Sequence, residues 1–575
     1  MPKVDPITFA VVRNNLMSVA NGMQEVAFRC AVTPMMYEIR DSCFAVLDAD
    51  AGVIAQSQGM VLFLGSLGPA TKNCLDIIGP ENLEPGDVVI STVPIITGSH
   101  AADGILFTPI FYHNQLFGYA ASKTHWQDLG AKSFYPSDSR SVYEEGLHIP
   151  PIRLYKHGEL QKEFWETIKW NSRAPDLVWG DMQAQIAGCR FAEKRAVELL
   201  DKYGFENVNT CIQEMYDYGE RMTRLAIQDI KDGSWTAEDS LDNNGVDLDK
   251  PILTKVTVTV KGSDITIDFT GSAPEQNGPL NGLLVSTIAA ARIAVKALTT
   301  PQLPANEGCF RPIKVIAPEH SVFNAGATAP TFLWSWTAHH SLELIDKALY
   351  RALPEKIPAC SGADTNLQGF SGTNPHTGQY WGTIVPVVIG QGADLHSDGE
   401  NYLFHNGGGS PKSTPTEIIE TLYPIFIDKV GFVQDSGGAG KHRGGLGSKT
   451  YYHPLAPLAF FSMVEKAKTP TWGIDGGKLG IKNDLIINFK DKGERQVLKT
   501  SGIELWEGDS VIGVAGGGCG YGNPFERDPE AVLDDVINGY VSLEHARLDY
   551  GVVIDPVSLK INIRATEELR TLAGN

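Results

Sequence analysis

Two copies of one short pattern carry most of the chemistry available to this chain of 575 residues. They are His100-Ala-Ala-Asp103 and His125-Trp-Gln-Asp128, 25 residues apart. Neutral imidazole nitrogen and carboxylate oxygen are donors that suit zinc, manganese or iron. Imidazole and carboxylate ligands with open positions beside them would let an ion hold and polarise an oxygen-bearing substrate. Among 14 His, about one such pattern is expected by chance at ordinary Asp usage. The weight therefore falls on whether the fold brings the two copies together; the bland alternative is a pair of satisfied loop histidines.

The elements around them argue that it does. An apolar strand is expected at Val88–Val93, then a Gly98–Asp103 loop, a strand Ile105–Tyr112, a turn at Asn114-Gln115 and a returning strand Leu116–Ala121. A hairpin of that kind brings His100 and His125 to neighbouring strand ends. Upstream, residues 5–31 read as an amphipathic helix, with Asp5 as cap and Pro6 at the first helical position. Ser42–Leu47 and Gly52–Ala55 flank a turn, and residues 65–80 read as a helix. Helices follow at 180–204 and 205–232, a hairpin around Lys261-Gly-Ser263, and a helix at 284–298. Residues 330–412 read as loops between short elements, 420–515 as β-rich, and 529–537 and 542–549 as terminal helices. The expected fold class is mixed α/β (α+β) and multi-domain, with hairpin-rich sheets and long amphipathic helices. The expected regions are 1–235, carrying the metal-site loops; 236–330, hairpin and helix; 331–420, Gly/Trp/His-rich and lining the site; and 421–575, β-rich with terminal helices.

Other motifs are weaker. Gly437-Gly-Ala-Gly440-Lys-His-Arg-Gly444-Gly445 looks superficially phosphate-binding but is not G-x-x-x-x-G-K-[ST]. Lys441, His442 and Arg443 could hold an anion; a tight structural loop is the plainer reading. Gly516–Gly522 and His405-Asn-Gly-Gly-Gly409 are further glycine-dense loops. Trp334-Ser-Trp336 with His339-His340 is either a core aromatic cluster or the wall of a substrate pocket. No G-x-S-x-G elbow, dinucleotide fingerprint or catalytic Cys signature is present. The net charge of -20 and the lack of a dense basic block argue against nucleic acid. The eight Cys form no C-x-x-C pair, which fits free thiols in a reducing compartment. With no signal-like start and no apolar run of about 18 residues, the expectation is a cytoplasmic protein without a membrane span.

Over nearly its whole length the sequence resembles the hydantoinase B/oxoprolinase B family. The matching stretches include Asp5-Pro-Ile-Thr-Phe9, Gly98-Ser-His-Ala-Ala-Asp103, Glu145-Gly-Leu-His-Ile-Pro-Pro151, Gly180-Asp-Met-Gln-Ala-Gln-Ile186, Asp268-Phe-Thr-Gly271 and Arg311-Pro-Ile313. The densest are Asp435-Ser-Gly-Gly-Ala-Gly-Lys-His-Arg-Gly-Gly-Leu-Gly447, Gly516–Gly522 and Glu526-Arg-Asp-Pro529. The family includes ATP-dependent hydantoinases and 5-oxoprolinase, and a large subunit of acetone and acetophenone carboxylases.

The resemblance implies a division of labour. A hydantoinase A-type partner binds ATP and activates the substrate, and a small additional subunit is a further expected partner. The B-type chain holds a divalent metal, zinc or manganese, on His100, Asp103 and His125, and binds no nucleotide itself. Where hydrolases of the family carry His-His-Ala-Asp, this chain has His125-Trp-Gln-Asp128. Trp126 cannot ligate a metal and offers apolar surface. With Trp334, Trp336 and His339 it would line a pocket that excludes water, which suits an enolate better than hydrolysis. On that reading the chain serves an acetophenone-type ketone carboxylase: enol phosphate and carboxyphosphate arise with the partner, and the enolate attacks CO2 from bicarbonate to give a β-keto acid. Asp128 would orient a ligand imidazole or move a proton, with Glu145 and His148 as further catalytic candidates. The alternatives are the B-type chain of a cyclic-amide hydrolase and a non-catalytic scaffold chain.

Overall fold

The structure is a computed structural model that describes residues 4–573. It opens with a 25-residue helix, Pro6–Cys30, whose first turn is capped by the Asp5 carboxylate accepting from the Ile7 and Thr8 amides. A seven-stranded antiparallel sheet follows, built from β1 (Ser42–Asp48), β2 (Val53–Gln56), β3 (Val88–Ser91), β4 (Asp103–Tyr112), β5 (Gln115–His125), β6 (Ile152–Lys156) and β7 (Glu159–Leu160). Its spatial order is β2-β1-β5-β4-β3-β6-β7. The β4–β5 turn places His113 and Asn114 at positive φ (47° and 64°), the two-residue geometry whose twist matches the strands it joins.

The sheet is buried on both faces, and alternation along its strands divides it cleanly. Ile105 and Phe107 of β4, with Tyr119 and Ala121 of β5, face a core covered by the helices Val61–Ile78, Leu284–Thr299 and Trp334–Leu349. Leu106, Ile110 and Ala120 face a second core, covered by Pro6–Cys30, Pro175–Tyr203 and Phe205–Gln228. A period of two puts odd positions of β4 and of the last half of β5 on the first side and even positions on the second.

A second sheet contains β8 (Gly233–Leu241), β9 (Ile252–Lys261), β10 (Asp264–Asp268) and β11 (Ile313–Ile316), with β11 parallel to β10. Two further sheets hold β12 (Leu367–Thr373), β13 (Tyr380–Pro386), β16 (Leu458–Met463) and β19 (Lys499–Leu505), and β14 (Ile425–Phe432), β15 (Ser448–Pro454), β17 (Asp484–Phe489), β18 (Gly493–Gln496) and β20 (Ser510–Val514). The larger core draws on residues from Met35 to Tyr521, so it runs across the expected boundaries near 235, 330 and 420.

Two differences from the sequence reading have clear causes. Residues 334–349, expected as loop, form a helix buried nearly all round. Its polar residues His339, His340, Glu343, Asp346 and Lys347 recur at helical spacing, a signal masked by the surrounding Gly-, Asn- and Trp-rich sequence. A last helix, Ile563–Ala573, lies beyond the expected elements. The glycine-dense runs do pack backbone on backbone: a Cβ on Gly444 would stand 1.9 Å from the Gly518 carbonyl oxygen. Among the described residues, no helix is long and apolar enough to cross a membrane.

Candidate metal centre

Asp103 and His125 are direct cross-strand partners at the open end of the β4–β5 hairpin. Directly paired residues lie on one face with their side chains in contact. His100 arrives from the loop before β4. Its Nε2 lies 2.9 Å from Asp103 Oδ1 and 3.1 Å from His125 Nδ1, and His125 Nδ1 lies 3.0 Å from the same Oδ1. All three side chains are buried. Among the described residues this is the cluster of His, Cys, Asp or Glu whose donor atoms converge closely enough to hold an ion.

Tautomer logic sharpens the point. His100 Nδ1–H donates to the Phe332 carbonyl, 2.9 Å away. A carbonyl only accepts, so in the neutral imidazole Nε2 carries a lone pair. That lone pair is aimed at the Asp103 carboxylate oxygen, 2.9 Å away. The contact is repulsive unless a cation lies between them or a proton is added. Donors held roughly 2.1 Å from one ion at right angles stand about 3 Å apart, which is the spacing seen here.

Asp41 completes the row. β1 lies beside β5, pairing Ser42 with Thr124, and the His125 amide donates to the Asp41 carbonyl. Asp103 on β4, His125 on β5 and Asp41, the residue just before β1, thus sit in neighbouring strand lines. Among the described residues, Asp41 Oδ1 is buried without a hydrogen-bond partner. Burial, with the neighbouring Asp103 charge, pushes its carboxyl up to about 7, against the pull of His125 and Lys123. Burial would raise Asp103 too, but His100 and His125 reverse that and hold it well below the carboxylate range. An orphaned buried oxygen beside two imidazoles and a carboxylate fits a divalent ion. Lys123, fully buried on β5, donates to the Thr97 carbonyl (2.9 Å) and lies over the Phe63 ring; burial draws it down to about 8.

The chain matches the model of the family described as hydantoinase B/oxoprolinase over residues 5–524. The chain belongs to the hydantoinase B/oxoprolinase family. It is 32% identical to the B chain of a putative D-/L-hydantoinase from Pseudomonas sp. strain NS671, over 99% of this chain and 98% of that one. It is 31% identical to the beta chain of the caprolactamase of Pseudomonas jessenii, over 96% and 97%. The crystal structure of that ATP-dependent caprolactamase superposes with a TM-score of 0.92 at 28% identity, covering 99% of this chain and 100% of the other. A nucleotide-free acetone carboxylase shares the fold, with a TM-score of 0.90 at 19% identity over 99% of this chain and 83% of that one.

This hydantoinase B-type chain distributes the expected residues unevenly. Trp334 joins the centre: its Nε1–H donates to Asp103 Oδ2 at 3.1 Å. With His100, Asp103, Trp336 and His339 it lines a small cavity of about 50 Å³ that also contains Asp41 and Tyr135. Trp336 Nε1–H is committed to Asp364 at 2.7 Å.

Trp126 is not in this cavity. It follows His125 on the strand line and so faces the opposite side, where its indole donates to Gln185 (2.7 Å) and fills the space beside Gly104. Asp128 is not beside the imidazoles either: both its oxygens bind the Arg173 guanidinium, at 2.5 and 3.1 Å. His148 lies against Tyr143 in a tilted contact and does not line the cavity, and burial lowers its pKa. Glu145 acts at one remove. Its Oε1 accepts from Ser139 Oγ and from the Thr331 and Phe332 amides at 2.6–3.0 Å, fixing the loop whose carbonyl orients His100. Burial pushes its carboxyl up to about 8 against those bonds.

Of Lys441, His442 and Arg443, the His442 ring faces Asp398 at 4.0 Å. Arg443 is spent on the Gly444 carbonyl and Asp535. Sequence reasoning missed Asp41, Phe332 and Tyr135. For Asp41 the usable signal is the register of β1 against β5, which no local motif carries.

Proposed function

We propose that this chain is the metal-holding component of an ATP-dependent cyclic-amide hydrolase. The observation that carries the metal is the convergence of His100 Nε2, His125 Nδ1 and Asp103 Oδ1 with a lone pair directed into the cluster. Two imidazoles and one or two carboxylates suit zinc or manganese. Bound there, such an ion would polarise the substrate oxygen and ease ionisation of water. Asp103 is held by Trp334 and His100 by Phe332, so the donors are fixed before substrate arrives. The hydrolase reading is supported by the two relatives spanning the full chain, one from a hydantoinase and one from a caprolactamase. No Walker sequence is present, so ATP is assigned to a hydantoinase A-type partner.

A ketone carboxylase is the second reading, kept by the aromatic wall of Phe63, Tyr135, Trp334, Trp336 and Phe404. It loses its main argument, because Trp126 is turned into the other core. The test is co-purification of the chain with an A-type partner, followed by metal analysis and product assays. Ring opening of caprolactam or hydantoin coupled to ATP use, without bicarbonate, supports the hydrolase. Bicarbonate-dependent product from a ketone overturns it.

A further inference from the structure

Opposite the metal centre, the same cavity is lined by a histidine with nothing to do. His339 is buried, and among the described residues neither ring nitrogen has a hydrogen-bond partner. Leaving a buried polar group unpaired costs about 1–3 kcal/mol, so its place in the cavity wall calls for an occupant that pairs with it. Its surroundings are ordered around the ring. His405 lies against it, with centroids 4.6 Å apart. The Gly407 amide donates to His405 Nδ1 (3.1 Å), leaving the His405 proton on Nε2, which faces Glu343 at 3.4 Å. Glu343, one helical turn beyond His339, also accepts from Ser361 Oγ at 2.5 Å. Glycine is required at 407 because a Cβ there would stand 2.5 Å from His339 Cδ2 and 2.7 Å from Leu342.

We infer that His339 is a catalytic residue that takes the proton of the attacking water and returns it to the leaving ring nitrogen; this rests on the hydrolase reading above. Water oxygen bonds to the activated ring carbon while its proton passes to an unpaired nitrogen of His339. The ring C–N bond then breaks, its electron pair remains on nitrogen, and the imidazolium gives that proton to the nitrogen. The sum is addition of one water across the ring C–N bond, with His339 regenerated; a phosphoryl group placed on the amide oxygen by the partner stays on the carboxyl product as an acyl phosphate, whose release takes a second water. Burial, reinforced by His405, holds the free imidazole in its neutral, proton-accepting form.

The test uses the intact complex with caprolactam and hydantoin as probes. The amine leaving from a lactam needs a proton more than the nitrogen leaving from hydantoin, which two carbonyls flank. His339→Gln should keep full metal content and lose roughly 10²–10⁴-fold in kcat on caprolactam, the usual range for general acid–base catalysis. The loss on hydantoin should be at least tenfold smaller. Gly407→Ala, which displaces the ring without removing it, should show the same asymmetry and serves if His339→Gln is not folded. Equal losses on both probes, or loss of metal, overturn the role of His339 while leaving the hydrolase reading intact. A wild-type complex that opens neither ring overturns that reading, and this inference with it.

Discussion

His100-Ala-Ala-Asp103 and His125-Trp-Gln-Asp128 have the same spacing and opposite outcomes. In the first, both ends reach the candidate centre with His125: His100 from the loop before β4, Asp103 from the first position of β4. In the second, His125 is the last residue of β5 and the chain then leaves the strand, so Asp128 reaches Arg173 instead. A pattern of residue types states which donors exist. Whether they converge depends on strand phase and on what the chain does next.

Breaking the first copy should have the largest effect. His125→Ala or His100→Ala is expected to remove the ion and abolish product formation, with circular dichroism little changed, because the pairing of β4 with β5 does not depend on either side chain; elemental analysis of the purified complex decides it. ATP-dependent activation on the partner should continue. Retention of both metal and activity in His125→Ala would place the site elsewhere.

Next comes the carboxylate that neither copy contains. Asp41→Asn should weaken metal affinity by roughly 10–100-fold, the range found for groups supporting a metal site, as read by competition with a chelator. Wild-type affinity in that variant would reduce Asp41 to a bystander.

A smaller loss, about tenfold in metal affinity or turnover, is expected for Trp334→Phe. It keeps the ring against Phe63, 6.0 Å between centroids, and deletes only the hydrogen bond to Asp103. Unchanged affinity and turnover would show that the indole serves packing alone.

The second copy sets the floor of the comparison. Asp128→Asn should leave metal content and kcat unaltered and cost about 1–2 kcal/mol of stability by weakening a charged hydrogen-bond pair whose Arg173 is one-third exposed. Thermal unfolding measures it. A loss of activity larger than the loss of stability would restore Asp128 to the chemistry.

Much of this was legible in the sequence because the β4–β5 hairpin is local. Alternating apolar residues and a short polar turn specify it, and the hairpin alone brings Asp103 to His125. The side to which Trp126 turns was equally available from a period of two; counting one residue past His125 puts it behind the sheet. What could not be read locally is tertiary. Asp41 depends on β1 pairing with β5, some 80 positions along the chain, and the His339–His405–Glu343 group depends on a helix meeting a loop some 60 positions further on. The Glu145 network joins a turn at 139–145 to a loop at 331–332, and neither segment advertises the other.

The hydrogen bond from His100 to the Phe332 carbonyl spans 232 residues of chain. During synthesis at roughly 5–20 residues per second, His100 emerges on the order of 10–50 s before the carbonyl that fixes its tautomer. For that interval the nascent chain owns its three principal donors without the partner that aims one of them. If the cluster holds an ion as proposed above, its secure capture belongs to the late stage of folding, when the segment around Phe332 has docked, and a truncated chain ending before it would carry the whole motif yet lack the means to hold its first histidine in register.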